Sequence, residues 1–166
     1  EWAETRRAEL KTIAQAGHEL GNHGYYHVNH SGLSAERVKQ EITRTAELIK
    51  ETTGITPTIF SPPSGDCDEE SVNAAKEAGQ TVILWSIDTI DWRRDGKDAI
   101  LKRVFRDPKA GDIILMPPTR DTVAALPEII DGLGGDSALA GPLQPAETIN
   151  PSQTEASRRK IRLFFS

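Results

Sequence analysis

The sequence predicts an α/β fold with parallel strands, either an open sheet or a barrel. Three observations carry that prediction. Capped, helix-periodic segments alternate with short apolar runs. The runs are short and, in the clearest case, continuously β-branched or apolar, as in strands buried on both faces. Each run then empties into a polar or proline-rich segment, and in parallel architectures function gathers at the C-terminal ends of the strands.

The elements follow in order. Residues 2–16, with Trp2, Leu10, Ile13 and Ala14 on one face, read as an amphipathic helix stopped by Gly17. His18 to Asn22 is a short strand leading into a histidine-rich turn. Ser34 caps a long helix with Val38, Ile42, Thr45, Leu48 and Ile49 at helical spacing, and Gly54 closes it. Thr58–Phe60 is a strand stopped by Pro62 and Pro63. Asp68 to Ala78 is a helix ending at Gly79. Thr81–Trp85 is the clearest buried strand, and Asp112–Met116 is a second. Between them Asp98 to Phe105 is a helix, and Thr122 to Ile130 is the last, with Pro127 as a kink or boundary. The segments after Asn22, Phe60, Trp85 and Met116 are expected to face one pocket.

Bulk properties bound the function. A length of 166 residues fits one domain. Apolar content of 37% and a mean hydropathy of −0.46 indicate that part of the chain is not core. A net charge of −5 argues against nucleic acid and against an anionic membrane surface as partners. Cys67 is the single cysteine, which excludes an intrachain disulfide; it reads as a small, partly buried apolar residue rather than a nucleophile. No apolar run reaches membrane-span length and no signal peptide is visible. The chain opens on Glu1 rather than Met, so it is expected to begin inside a longer sequence.

All four histidines, His18, His23, His27 and His30, fall within one short window. On a helical turn, residues at i and i+4 share a face, so His23 and His27 have the spacing of two ligands to one Zn²⁺. The same spacing also suits polar histidines at a helix N-terminus. His18-Glu19 does not make a zinc-protease helix, because Asn22 stands where the second histidine belongs. His30 would be a stand-in third ligand only if the helix continued, which Asn29, Ser31 and Gly32 oppose. Tyr25 and Tyr26 read as packing residues ahead of sugar platforms. Asp88 and Asp91 also fit as caps of the following turn, and Trp92 also fits ordinary core.

Taken in order, Gly-His-Glu-Leu-Gly-Asn-His23-Gly-Tyr-Tyr-His27, Phe-Ser-Pro-Pro-Ser-Gly65, Asp88-Thr-Ile-Asp91-Trp92 and Ile-Ile-Leu115-Met resemble the polysaccharide deacetylases. These are the NodB-homology proteins of carbohydrate esterase family 4. The resemblance covers residues 1–132 and implies a partial domain of that kind, with 133–166 as a low-complexity or disordered tail. It implies a distorted (β/α) barrel whose first strands, with the Thr-Phe-Asp-Asp motif, precede Glu1. The implied activity is metal-assisted removal of N-acetyl groups from envelope glycan, peptidoglycan or chitin-like. The implied cofactor is a divalent metal, foremost zinc, with its third ligand outside this chain. The implied location of the intact protein is the cell envelope or the exterior.

Carried over by position, His23 and His27 match the metal ligands. Ser64 matches the loop residue offering an oxyanion-binding N–H, and Asp91 the carboxylate that orients the catalytic histidine. Pro63, Gly65, Trp92 and Leu115 match walls of the substrate groove and acetyl pocket. Two departures stand out. Ser61 occupies the place of the family's Arg, and Pro117 that of its general-acid His. Proline cannot donate a proton, and general acid catalysis is worth roughly 10²–10⁴-fold. A base carboxylate without its Arg would be a costly buried charge, so the upstream motif is expected to be degenerate as well. The pattern resembles a divergent, sporulation-associated branch. Two functions follow: an N-deacetylase, or a catalytically impaired relative that binds glycan or serves the envelope structurally. After Leu133 the residues are rich in Gly, Pro, Ala and Ser, and neither a strand nor a helix is expected there.

Overall fold

The computed structural model describes residues 1–133 and, as backbone, residues 162–165. The described chain forms two compact units, one of residues 1–84 with the 162–165 strand, the other beginning at Trp85.

In the first unit, α1 (Trp2–Thr5) and α2 (Arg7–Gln15) replace the single helix expected over 2–16. They meet at Arg6, whose φ of −124° and ψ of 43° leave the helical region. Arg6 N–H still donates to Trp2 O and Leu10 N–H to Arg6 O, so the segment bends without losing its ladder. Gly17, at φ 85°, supplies the left-handed stop. Strand β1 (Glu19–Asn22) follows.

Helix α3 (Ala35–Thr53) begins where Ser34 Oγ accepts from Arg37 N–H, and ends at left-handed Gly54, whose N–H reaches Lys50 O. Its buried stripe runs Val38, Glu41, Ile42, Thr45, Leu48, Ile49 and Thr52. It connects β1 to β2 (Ile59–Phe60). Helix α4 (Glu69–Glu77), capped by Asp68 accepting from Ser71 N–H at 2.9 Å, then leads to β3 (Thr81–Val82).

Two core clusters result. Ala3, Leu10, Leu20, Tyr25, Leu48 and Ile49 form one. Val38, Ile42, Phe60, Ala74 and Ala75 form the other.

The second unit holds β4 (Ile87–Asp88), α5 (Lys97–Val104), β5 (Ile114–Leu115) and α6 (Arg120–Leu133). Its core joins Ile100, Val104, Ala125, Ile129 and Leu133. Pro127 lies inside α6, which extends past both ends of the expected Thr122–Ile130 helix.

All described pairings are parallel, as expected from the alternation. One sheet has the order β3-β2-β1-β6, where β6 is Arg162–Phe165; the other is β4-β5.

Three expectations need correction. Thr81–Trp85 is not one buried strand. Its ladder to β2 ends with Ile83 N–H donating to Phe60 O, and Leu84 is 52% exposed. Ser86 and Ile87 then pair with Ile113 O, so one ladder stops inside the apolar run and a second starts just beyond it, and β4 lies in a stretch read as loop. Asp112–Met116 shortens to two partly buried residues, with Asp112 turned to accept from Lys109 N–H and Ser86 Oγ–H instead. Arg162–Phe165 is a strand although none was expected in the tail; it pairs along all four residues of β1. The remainder of the expected tail, 134–161 and 166, lies outside the described residues.

Candidate functional site

The turn after β1 is irregular rather than helical, which overturns the helical-face premise for His23 and His27. It nevertheless brings the two rings together, with centroids 4.9 Å apart and planes at 70°. Left-handed Gly24 (φ 76°) and His27 (φ 55°) do the turning. A Cβ on Gly24 would stand 3.3 Å from Pro63 Cγ, so this turn is also pressed against the loop after β2. Gly24→Ala is expected to cost about 1–2 kcal/mol, read as a lower denaturation midpoint at unchanged slope; an unchanged midpoint would show the loop is slack.

The His23 ring is fixed by Ser61, whose carbonyl lies 2.6 Å from Nδ1. A carbonyl only accepts, so Nδ1 carries the proton and ligation falls to Nε2. This is the usual arrangement behind a metal-ligating histidine. Burial, opposed in part by the Ser61 bond, pushes His23 down to about 4. The ring is therefore neutral at pH 7, as a ligand must be.

The sign for stability follows. The unfolded histidine (pKa about 6.5) binds protons more readily than the folded one, so this stabilisation is complete above pH ~6.5 and lost as pH falls toward 4. In metal-free protein we expect His23→Asn to flatten the stability loss between pH 6.5 and 4, by at most about 3 kcal/mol. An equal acid sensitivity in the variant would contradict this.

His27 is exposed at the turn's outer edge. His23 and His27 fit two places of a metal's ligand set, by adjacency for both and by tautomer and charge state for His23. Among the described residues no group of three His, Cys, Asp or Glu is placed to complete one. His30 is not a stand-in ligand: it is fully buried, stacks on Phe60 at 5.5 Å, and neither ring nitrogen has a hydrogen-bond partner among the described residues.

Tyr25 is core, with its ring under the Arg44 guanidinium at 3.6 Å and its hydroxyl donating to Glu4. Tyr26 is exposed.

After β2, Ser61, Pro62 and Pro63 are buried and Ser64 is exposed at left-handed φ 56°, next to Gly65 at φ 70°. Asp66 closes this loop back onto the histidine segment by accepting from Ser31 N–H and Oγ–H, which holds its carboxyl below the usual range. Cys67 is partly buried, and burial raises its thiol, as expected of a residue that is no nucleophile.

In the second unit, Asp91 is 1% exposed. Its Oδ2 accepts from Thr122 Oγ–H, while Oδ1 is buried without a partner among the described residues. The same Thr122 hydroxyl lies 2.5 Å from Pro117 O. Trp92 is 70% exposed and so is not core; Arg93 stands over its ring at 5.9 Å. Asp88 does cap its turn, accepting from Ile90 N–H at 2.8 Å. Leu115 is partly buried and its carbonyl accepts from Thr89 Oγ–H at 2.7 Å. Arg103 ties this loop to α5 through Thr89 O and both oxygens of Asp95.

Four non-glycine residues have left-handed backbone among those described: His27, Ser64, Ile90 and Arg94. All four fall in three of the four loops that the sequence assigns to the site. Ile90, β-branched at φ 53°, is the most costly. Such strain is characteristic of functional loops held by their surroundings.

Sequence reading passed over Asn22, Glu41, Thr89, Arg103 and Thr122, which hold these loops. The available signal was a polar residue at a core position, as with Glu41 between Val38 and Ile42 in the α3 stripe.

Comparison with known proteins shows the family. Residues 1–83 match the polysaccharide deacetylase family. The chain is 35% identical over 129 residues to the uncharacterized protein YlxY of Bacillus subtilis, covering 78% of this chain and 40% of that protein. It is 32% identical to a peptidoglycan-N-acetylglucosamine deacetylase of Bacillus cereus, covering 75% of this chain and 47% of the relative. The chain thus spans less than half the length of these relatives.

Among solved structures, BA3943 of Bacillus anthracis, described as a carbohydrate esterase family 4 pseudoenzyme, superposes with a TM-score of 0.77 at 36% identity, over 80% of this chain and 47% of that one. A family 4 carbohydrate esterase from Streptomyces lividans, solved with acetate, gives 0.75 at 30% identity, over 81% of this chain and 70% of that one. Deacetylases of this family depend on a metal, and their fold is the NodB-type (β/α) barrel. The chain belongs to the polysaccharide deacetylase family.

Proposed function

We propose that the intact protein is a metal-assisted hydrolase of carbon–nitrogen amide bonds, removing N-acetyl groups from an envelope glycan. The observation that carries this is the paired His23 and His27, with His23 held neutral and oriented by Ser61. Zinc suits two imidazoles and a carboxylate. When bound, it would polarise the acetyl carbonyl and bring the pKa of a water to about 7.

The chain's own residues divide the remaining tasks. His23 and His27 hold the metal. Ser64, on its left-handed turn, presents backbone to the oxyanion. Pro63 and Gly65 shape that loop, and Trp92 and Leu115 wall the sugar and the acetyl group. Asp91 is the carboxylate that orients the acid. Peptidoglycan is the favoured substrate because the relatives named as enzymes act on it. An envelope or extracellular location follows from that substrate, and a role in sporulation from the branch the loop sequences resemble. Residues 1–132, with the 162–165 strand that pairs with β1, serve as the catalytic-domain portion.

A second reading is favoured by specific residues. Pro117 carries no titratable group, and Ser61 replaces the Arg that would brace the base. Asp91 Oδ1, without a partner among the described residues, is the oxygen a histidine at position 117 would serve. The likeness to BA3943 supports the same reading: a glycan-binding deacetylase fold with little or no turnover. Acetate release from N-acetylated oligosaccharide by the full-length protein, with and without added zinc, tests the two. Zinc-dependent release supports the hydrolase. Glycan binding without release supports the impaired relative. Neither binding nor release would overturn both.

A further inference from the structure

The turn that carries His23 and His27 has neither helix nor sheet ladder to fix it. Its amides are tied instead to two buried side chains. Asn22 Oδ1 accepts from Gly24 N–H at 3.0 Å. Glu41 Oε2 accepts from the next two, Tyr25 N–H at 2.9 Å and Tyr26 N–H at 2.7 Å. Glu41 is 1% exposed and pairs through its other oxygen with Arg37 at 2.8 Å. Asn22 is itself anchored, with Nδ2 donating to Ile42 O and Gln80 Oε1.

A carboxylate in the core stripe of α3 is costly there unless it meets charge and donors, and an apolar residue would pack in its place. Its location explains its presence. The two amides it grips belong to two of the three residues between the histidines, and left-handed Gly24 and His27 bracket them.

We propose that Glu41 is a positioning residue for the histidine pair: by holding two successive amides with one oxygen, it fixes the turn that sets both imidazoles toward a single divalent metal. This rests on the metal-binding reading above. Groups that orient metal ligands from behind typically change metal affinity about 10–100-fold when removed.

The test is zinc affinity of the full-length protein, by competition with a chromophoric chelator, alongside its thermal unfolding. Glu41→Ala removes the acceptor and is expected to lose about 10–100-fold in affinity. Glu41→Asp withdraws the carboxylate by one methylene and is expected to lose about tenfold. Glu41→Gln keeps an oxygen at the same reach and is expected to stay within about threefold of wild type. Leu48→Ala, a core truncation on the same helix, is expected to lower Tm by several degrees with zinc affinity unchanged.

Should Glu41→Ala fail to fold, the Asp and Gln variants decide. Equal affinity in Glu41→Asp and Glu41→Gln overturns the proposal, as does an equal loss in Leu48→Ala. Wild-type protein that binds no zinc would remove the metal reading, and this inference with it. Wild-type binding with no effect at Glu41 would remove this inference alone.

Discussion

Replacing Pro117 with histidine is expected to raise acetate release by about 10²–10⁴-fold, provided the rest of the catalytic set is in place. The family's general acid must protonate the departing sugar amine. Proline offers neither a proton nor a titratable atom. The measurement belongs in full-length protein carrying Ser61→Arg and an upstream Thr-Phe-Asp-Asp motif, because residues that act as a unit are strongly non-additive. In that background, Pro117→His against Pro117 isolates the acid. Asp91, buried in the same unit with one oxygen lacking a described partner, is the proposed orienter of the new imidazole. Its hydrogen bond from Thr122 is expected to survive. A background with Pro117 that already turns over at full rate would show that another group supplies the proton.

The second large effect is expected at the proposed metal site. His23→Ala removes a proposed ligand whose tautomer and neutrality are set in advance by Ser61 and burial. Structural zinc sites are worth about 10–16 kcal/mol over four ligands, so losing one costs on the order of 3 kcal/mol, or roughly 10²-fold in affinity. His27→Ala is expected to cost a similar factor, although its ring is exposed. His30→Ala is expected to act differently. It empties a buried position against Phe60 and should lower stability without a matching loss of metal affinity. A loss at His30 equal to that at His23 would mean the ligand set is assigned to the wrong pair.

Helices were the most legible part of the sequence, because their ends are written in single residues. Ser34, Gly54 and Asp68 stand where the structure caps α3 and α4. The parallel alternation was equally readable. Strand lengths were not. The apolar run from Thr81 to Trp85 has nothing in its composition to show that its ladder ends at Ile83. Similarly, the bend at Arg6 occurs with no proline or glycine to mark it. At the site, residue types were readable and their geometry was not. The i, i+4 spacing suggested a helical face, whereas the rings meet across a turn made by left-handed Gly24 and His27. Cross-chain holds such as Glu41 on the Tyr25 and Tyr26 amides depend on tertiary proximity, which no local pattern encodes.

The account rests on His23 and His27 being metal ligands in the intact protein. Zinc content of purified full-length wild-type protein, set beside a His23→Ala, His27→Ala double variant after the same dialysis, tests that most directly. One equivalent per chain in the wild type and essentially none in the variant is the expected result. A wild type without bound zinc, or a double variant that retains its equivalent, would contradict it.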